Sequence, residues 1–374
     1  MSLLPNTIDI FCRVIDNFGD IGVCWRLAQS LPEDCHIRLW VDELKSFHKI
    51  EPSVNPDLAQ QHLKGVDIRH WHEAITDWQA ADLVIEAFGC DLSQAYQEAM
   101  KGHTQCWLNL EYLSAEKWVE DFHLQPSVQA NGVAKYFFFP GFTQKTGGLL
   151  RQHKTIDNPQ HQDEFLKKLL PAESYAYYQD EKPLVINLFC YPYAPLNALL
   201  QALPPQQAVM IILAESVAPQ LESIATRLQS NCYIQRLNFI VQEDYDCLLQ
   251  VADINLVRGE DSFVQAHWSA KPMLWHIYPQ EEAQHLVKLE AWLDSIQAPD
   301  WLRQLNRLWN YQADDGLNAK QAAEFITLFN SYAFKATTAT EWQHFQENLV
   351  ERLRKIPDLS QQIINFYEQC LKKS

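Results

Sequence analysis

The sequence predicts two α/β domains, each a mostly parallel, doubly wound sheet with helices on both faces. Three observations predict it. Short apolar runs alternate with stretches of helical spacing, the rhythm of repeated βαβ units. That rhythm starts twice, once at Thr7 and again at Leu184. The 374 residues also exceed what one typical core holds, so two domains are expected.

Composition bounds the class. A hydrophobic fraction of 47%, with 12% aromatic residues, supplies well-filled cores. The formal net charge of −17 argues against non-specific nucleic-acid binding, which needs a cationic surface, but leaves room for a local basic pocket. No apolar run approaches the ~20 residues of a membrane-spanning helix, and the stretch from Met1 to Pro5 carries no basic region. Nine cysteines without a CxxC pair read as reduced thiols, not as a disulfide framework or a zinc site. A cytoplasmic protein with no membrane or nucleic-acid partner is expected.

Residues 7–15 read as the first strand. It empties into Asp16-Asn17-Phe18-Gly19-Asp20-Ile21-Gly22, and helical spacing follows from Val23 to Leu31. Asp16 and Asp20 thus sit at the carboxyl end of a strand, where α/β sheets bind ligands. Turn chemistry and an N-cap are the alternative role for two aspartates. The GxGxxG dinucleotide fingerprint is absent. Further strands are predicted at 36–41, 66–70, 82–86 and 105–110, and the exits at Ala87-Phe88-Gly89-Cys90 and Glu111-Tyr112 fall on the rim that carries Asp16 and Asp20. The run 137–142, rich in phenylalanine, reads as packing. Residues from about 143 to 180 are polar and read as the interdomain connection.

The second series runs through 184–189, 208–213, 232–239, 252–257 and 272–275. Its first exit is Cys190-Tyr191-Pro192-Tyr193. Phe239, Gln242 and Tyr278 stand at later exits, where aromatics can stack on a nucleobase or pack an interface. His267, His276 and His285 show no metal-ligand spacing and read as solvated or locally hydrogen-bonded imidazoles. Helices follow from Asn318, and an amphipathic last helix begins after Pro357. The predicted domains are 1–178, joined by 357–374, and 182–356.

The most informative stretch is Arg258-Gly259-Glu260-Asp261-Ser262, between an apolar strand and a helix that Asp261 or Ser262 can cap. Such a turn offers backbone N–H groups and a positive dipole end to a phosphate, with a guanidinium beside them. The alternative is an ordinary capped helix with a surface Arg–Glu pair.

Two such domains facing across a cleft match GT-B glycosyltransferases. Four stretches together resemble the EarP family of bacterial protein-arginine rhamnosyltransferases: residues 16–22, Leu108-Asn109-Leu110-Glu111-Tyr112-Leu113, Phe189-Cys190-Tyr191 and residues 258–263. The resemblance implies an inverting transfer of L-rhamnose from dTDP-β-L-rhamnose to an arginine of elongation factor P, entered through that factor's folded amino-terminal domain. It implies Asp20 as base with Asp16 as partner, and Glu260 as a further catalytic residue. It further implies a donor pocket of Phe189, Tyr191, Phe239, Gln242, Arg258, Glu260, Asp261, Ser262 and Tyr278. No metal and no cofactor are expected, because Arg258 and the helix N-terminus can stabilise the leaving diphosphate. Outside the resemblance, two readings stay open. One is a GT-B enzyme with another acceptor or sugar nucleotide; a membrane-surface acceptor would favour a basic amphipathic patch. The other is a non-catalytic module that docks on a translation factor, for which Asp16 and Asp20 would be dispensable.

Overall fold

The computed structural model describes residues 4–15, 18–72, 75, 77–151, 156, 158–280, 283–312 and 316–373. The chain divides into two compact units, Met1–Arg151 with Arg354–Ser374, and Gln152–Leu353.

In the first unit the strands are β1 (Thr7–Cys12), β2 (His36–Val41), β3 (Gln60–Leu63), β4 (Val66–His70), β5 (Leu83–Ala87), β6 (Cys106–Leu110), β7 (Pro126–Val128) and β8 (Ala134–Phe138). Among the described residues they form one sheet ordered β3-β4-β2-β1-β5-β6-β8-β7. The six inner strands are parallel, and β3 and β7 close the edges antiparallel. Every residue of β5 and β6 is buried, as expected for parallel strands covered on both faces. Beneath β1, the buried Asp9 carboxylate accepts two bonds from Arg38 at 2.6 Å and one from Trp40 at 2.9 Å, and a further bond from the Tyr96 hydroxyl. That charge is therefore fully engaged.

Two boundaries differ from the sequence reading. The first strand ends at Cys12 because Val14 N–H turns to the Asp42 carboxylate (2.9 Å) and Ile15 N–H to Asp20 (2.9 Å). The helix then starts at Gly19, four residues before the expected Val23, and draws Asp20 into its first turn. The phenylalanine run read only as packing contains the end of β8.

The helix Leu359–Lys373 belongs to the first unit. Phe366 packs on Tyr136 at 5.0 Å, and the Tyr367 hydroxyl donates to Gln105 at 2.8 Å. Where the chain returns, Arg151 donates to the Ile356 carbonyl at 2.6 Å. Gly148 lies there at φ +72°, and a Cβ on it would stand 2.2 Å from the Pro357 carbonyl oxygen. Only glycine fits.

The second unit holds β9 (Leu184–Leu188), β10 (Val209–Ala214), β11 (Tyr233–Leu237), β12 (Ile254–Arg258) and β13 (Met273–His276). They form a parallel sheet ordered β11-β10-β9-β12-β13. The order reverses between β9 and β12, as it does between β1 and β5 in the first unit. Ligands of open α/β sheets bind outside the carboxyl ends of the strands at such a switch point. Asn187 and Asn255 face each other there in register, and the Asn187 amide donates to Asn255 at 3.1 Å. Both are buried, so the pair fixes how β9 and β12 align.

The expected domain boundary near 178 is displaced. The polar segment read as a connection carries helices Pro159–Leu169 and Ala172–Glu181, which fall in the second unit. Leu166 and Leu170 share a core there with Val185, Met210 and Ile212. Leucines one turn apart make a buried stripe even in a polar helix. Among the described residues no helix is long and apolar enough to cross a membrane.

Candidate active site

Strand β12 delivers Arg258 to the rim of the second unit. Its guanidinium lies 4.3 Å from the ring centroid of Phe189 and 4.7 Å from that of Tyr191, and Nη1 donates to the Cys190 carbonyl at 3.0 Å. The cation is thus engaged by two aromatic rings at the exit of β9, contacts that favour arginine over lysine. Gly259 follows at φ +70° in open space, so glycine is needed there for backbone conformation alone. Its carbonyl accepts from the Trp275 indole at 2.9 Å, and Trp275 stacks on Phe263 at 3.9 Å.

The helix after this turn is Asp261–Trp268, and its N-cap residue is Glu260, with no side-chain cap. This corrects the expectation that Asp261 or Ser262 caps it. The helix begins one residue early, and the Ser262 hydroxyl donates backwards to the Arg258 carbonyl. Asp261, in the first turn, accepts from the Gln242 amide at 2.8 Å. A helix start without a side-chain cap, beside a guanidinium, favours an anion.

Tyr191 meets Tyr278 edge-on at 5.7 Å. Tyr278 and Phe239 are exposed to 54% and 52%, unusual for large aromatics and available for stacking on a flat ligand. Phe239 stands beyond the end of β11, two strands from β9. His267, His276 and His285, read as solvated or locally bonded, are all buried: His267 donates from Nδ1 to the Phe263 carbonyl (2.8 Å), and burial pushes its pKa down to about 4. His276 and Tyr193, given no part in the donor pocket from the sequence, meet at the β9 exit.

In the first unit Asp20 is buried. Its Oδ2 accepts from Ile15 N–H at 2.9 Å, and its Oδ1 accepts from the Tyr112 hydroxyl at 3.2 Å. Tyr112, at the exit of β6, stacks on Phe88 at the exit of β5 with centroids 4.4 Å apart. Three strand exits therefore converge on one carboxylate at the β1–β5 switch point. The adjacent Glu111 has its pKa raised by burial, against the opposing charge of Lys135. Asp16, with Asn17, lies outside the described residues. Among the described residues no three of His, Cys, Asp and Glu gather in a way that could hold a metal ion.

The model of the family described as Elongation-Factor P (EF-P) rhamnosyltransferase EarP matches residues 8–368 of this chain. The chain belongs to this family. Relatives from Pseudomonas aeruginosa and Pseudomonas putida, both named protein-arginine rhamnosyltransferase, are 38% and 40% identical. The alignments cover 97% and 98% of this chain and 99% of each relative. A solved structure on EarP-mediated arginine glycosylation of translation elongation factor EF-P matches with a TM-score of 0.59 at 27% identity. It covers 97% of this chain and 99% of that one. This EarP-family chain is a glycosyltransferase of GT-B architecture.

Proposed function

We propose that the chain transfers L-rhamnose from dTDP-β-L-rhamnose to an arginine side chain of translation elongation factor P, with inversion at the sugar. The observation that carries this reading is Arg258, held against Phe189 and Tyr191 at the switch point of the second sheet, in a chain of the EarP family. The diphosphate sits on Arg258 and the start of the helix Asp261–Trp268, and the aromatic exits take the base. Glu260, Asp261, Ser262 and Gln242 complete the donor contacts.

The acceptor guanidinium is protonated at neutral pH and is a poor nucleophile. Asp20, with Asp16 as its partner, grips it and accepts one proton as the nitrogen attacks. The N–C1 bond forms on the face opposite dTDP. The C1–O bond breaks, and its electron pair leaves on the diphosphate, whose charge Arg258 and the helix terminus stabilise. With that charge met by fixed groups, the reaction needs no metal.

The acceptor is the folded amino-terminal domain of the factor. A fixed loop presents the arginine without the ordering cost that an unfolded peptide incurs at each contact.

NMR of the glycosylated arginine is expected to show the α anomer, and turnover is expected to be unchanged in excess EDTA. A β product would exclude single inversion. Activity lost to EDTA and restored by a divalent cation would exclude the metal-free step.

A further inference from the structure

His276 ends β13, at the edge of the second sheet, two strands from β9. Strands so separated lie about 10 Å apart, beyond any backbone hydrogen bond. Two side-chain bonds nevertheless join their exits across the end of β12. Tyr191 N–H donates to His276 Nδ1 at 3.1 Å, and the Tyr193 hydroxyl donates to the Ile277 carbonyl at 2.9 Å. The residue beneath this bridge is Arg258, paired in register with His276.

The anchor of the bridge is itself fixed. On the outer side of β13, Asn306 and Asn310 stand one turn apart. Their side-chain oxygens accept from Trp275 N–H (3.1 Å) and Ile277 N–H (2.9 Å), and the Asn310 amide donates to the Trp275 carbonyl at 2.7 Å. Both asparagines are buried. They supply the hydrogen bonds that a further strand would have made, and so hold the edge in place.

We propose that His276 is a positioning residue for the sugar-nucleotide site, whose Nδ1 sets the backbone of Tyr191 and through it the ring on which Arg258 rests. The inference rests on the donor reading given above. Accepting a backbone N–H at Nδ1 requires the neutral imidazole with its proton on Nε2. Burial, reinforced by the Arg258 charge, lowers the His276 pKa to about 3, so the ring stays an acceptor at neutral pH. Nε2 is buried and has no hydrogen-bond partner among the described residues. The imidazole ring also packs edge-on against Tyr193 at 4.4 Å and Tyr191 at 5.5 Å.

The test uses the full chain, with dTDP titrated calorimetrically and dTDP-β-L-rhamnose varied in kinetics. His276→Leu removes the acceptor, whereas His276→Asn can offer Oδ1 close to the place of Nδ1. His276→Leu is expected to weaken dTDP about 5- to 10-fold and to raise KM for the donor equally with kcat little changed, the loss of one net hydrogen bond. His276→Asn is expected to restore most of that affinity. Wild-type affinity in His276→Leu, while Arg258→Ala binds weakly, would overturn the positioning role and leave the donor reading intact. Wild-type affinity in all three variants would overturn both. Equal losses in the two His276 variants would show that the Nδ1 acceptor is not what matters. Should His276→Leu fail to fold, nitrogen shifts of the wild-type histidines decide: the Nε2–H tautomer at His276 is expected, and Nδ1–H would overturn the proposal.

Discussion

Asp20→Asn is expected to fold as the wild type does, to bind dTDP-β-L-rhamnose nearly as well, and to lose about 10²–10⁴-fold in turnover. The substitution spares the local structure. Asparagine can still accept from Ile15 N–H through its oxygen, and its NH₂ can donate to the Tyr112 oxygen, so these two bonds keep a counterpart. In the proposed mechanism, what it removes is the negative charge that grips the guanidinium and the site that takes its proton. Single-turnover rates at saturating donor and acceptor check this. If Asp20→Asn retained wild-type turnover while Asp16→Asn lost it, the base would be Asp16.

Arg258→Ala is expected to weaken dTDP by about 1.5–3 kcal/mol, the scale of a hydrogen bond to a charged group, or roughly 10- to 150-fold in Kd. Two losses combine. The diphosphate loses a cation, and the Phe189 and Tyr191 rings lose the guanidinium packed against them at 4.3 and 4.7 Å. The aromatic contacts proposed for the base are untouched, so binding is expected to weaken without vanishing. Calorimetry giving unchanged affinity would remove Arg258 from the site.

Much of the architecture was legible because parallel strands are buried on both faces and so read as continuous apolar runs. The edges were not. Gln60–Leu63 is mostly polar and Pro126–Val128 is three residues long, since an edge strand needs little apolar surface. The helices at 159–181 were hidden by polar composition around a narrow leucine stripe. In the site, Arg258 to Ser262 stood out because an arginine, a glycine and two acids interrupt an apolar strand and a helix. The contact of Tyr112 with Asp20 spans 92 residues and follows from strand order, although both residues could be placed on one rim from the sequence. His276 could not be singled out. Its role depends on β13 lying two strands from β9, and nothing in its own neighbourhood distinguishes it from a core histidine.

Arginine rhamnosylation of a folded translation factor is tested most directly by the intact mass of the amino-terminal domain of elongation factor P after incubation with this enzyme and dTDP-β-L-rhamnose, beside a linear peptide around the target arginine. A gain of one deoxyhexose on a single arginine of the folded domain is expected, with the peptide modified far more slowly. An unmodified domain, in the presence of active enzyme and intact donor, would contradict it.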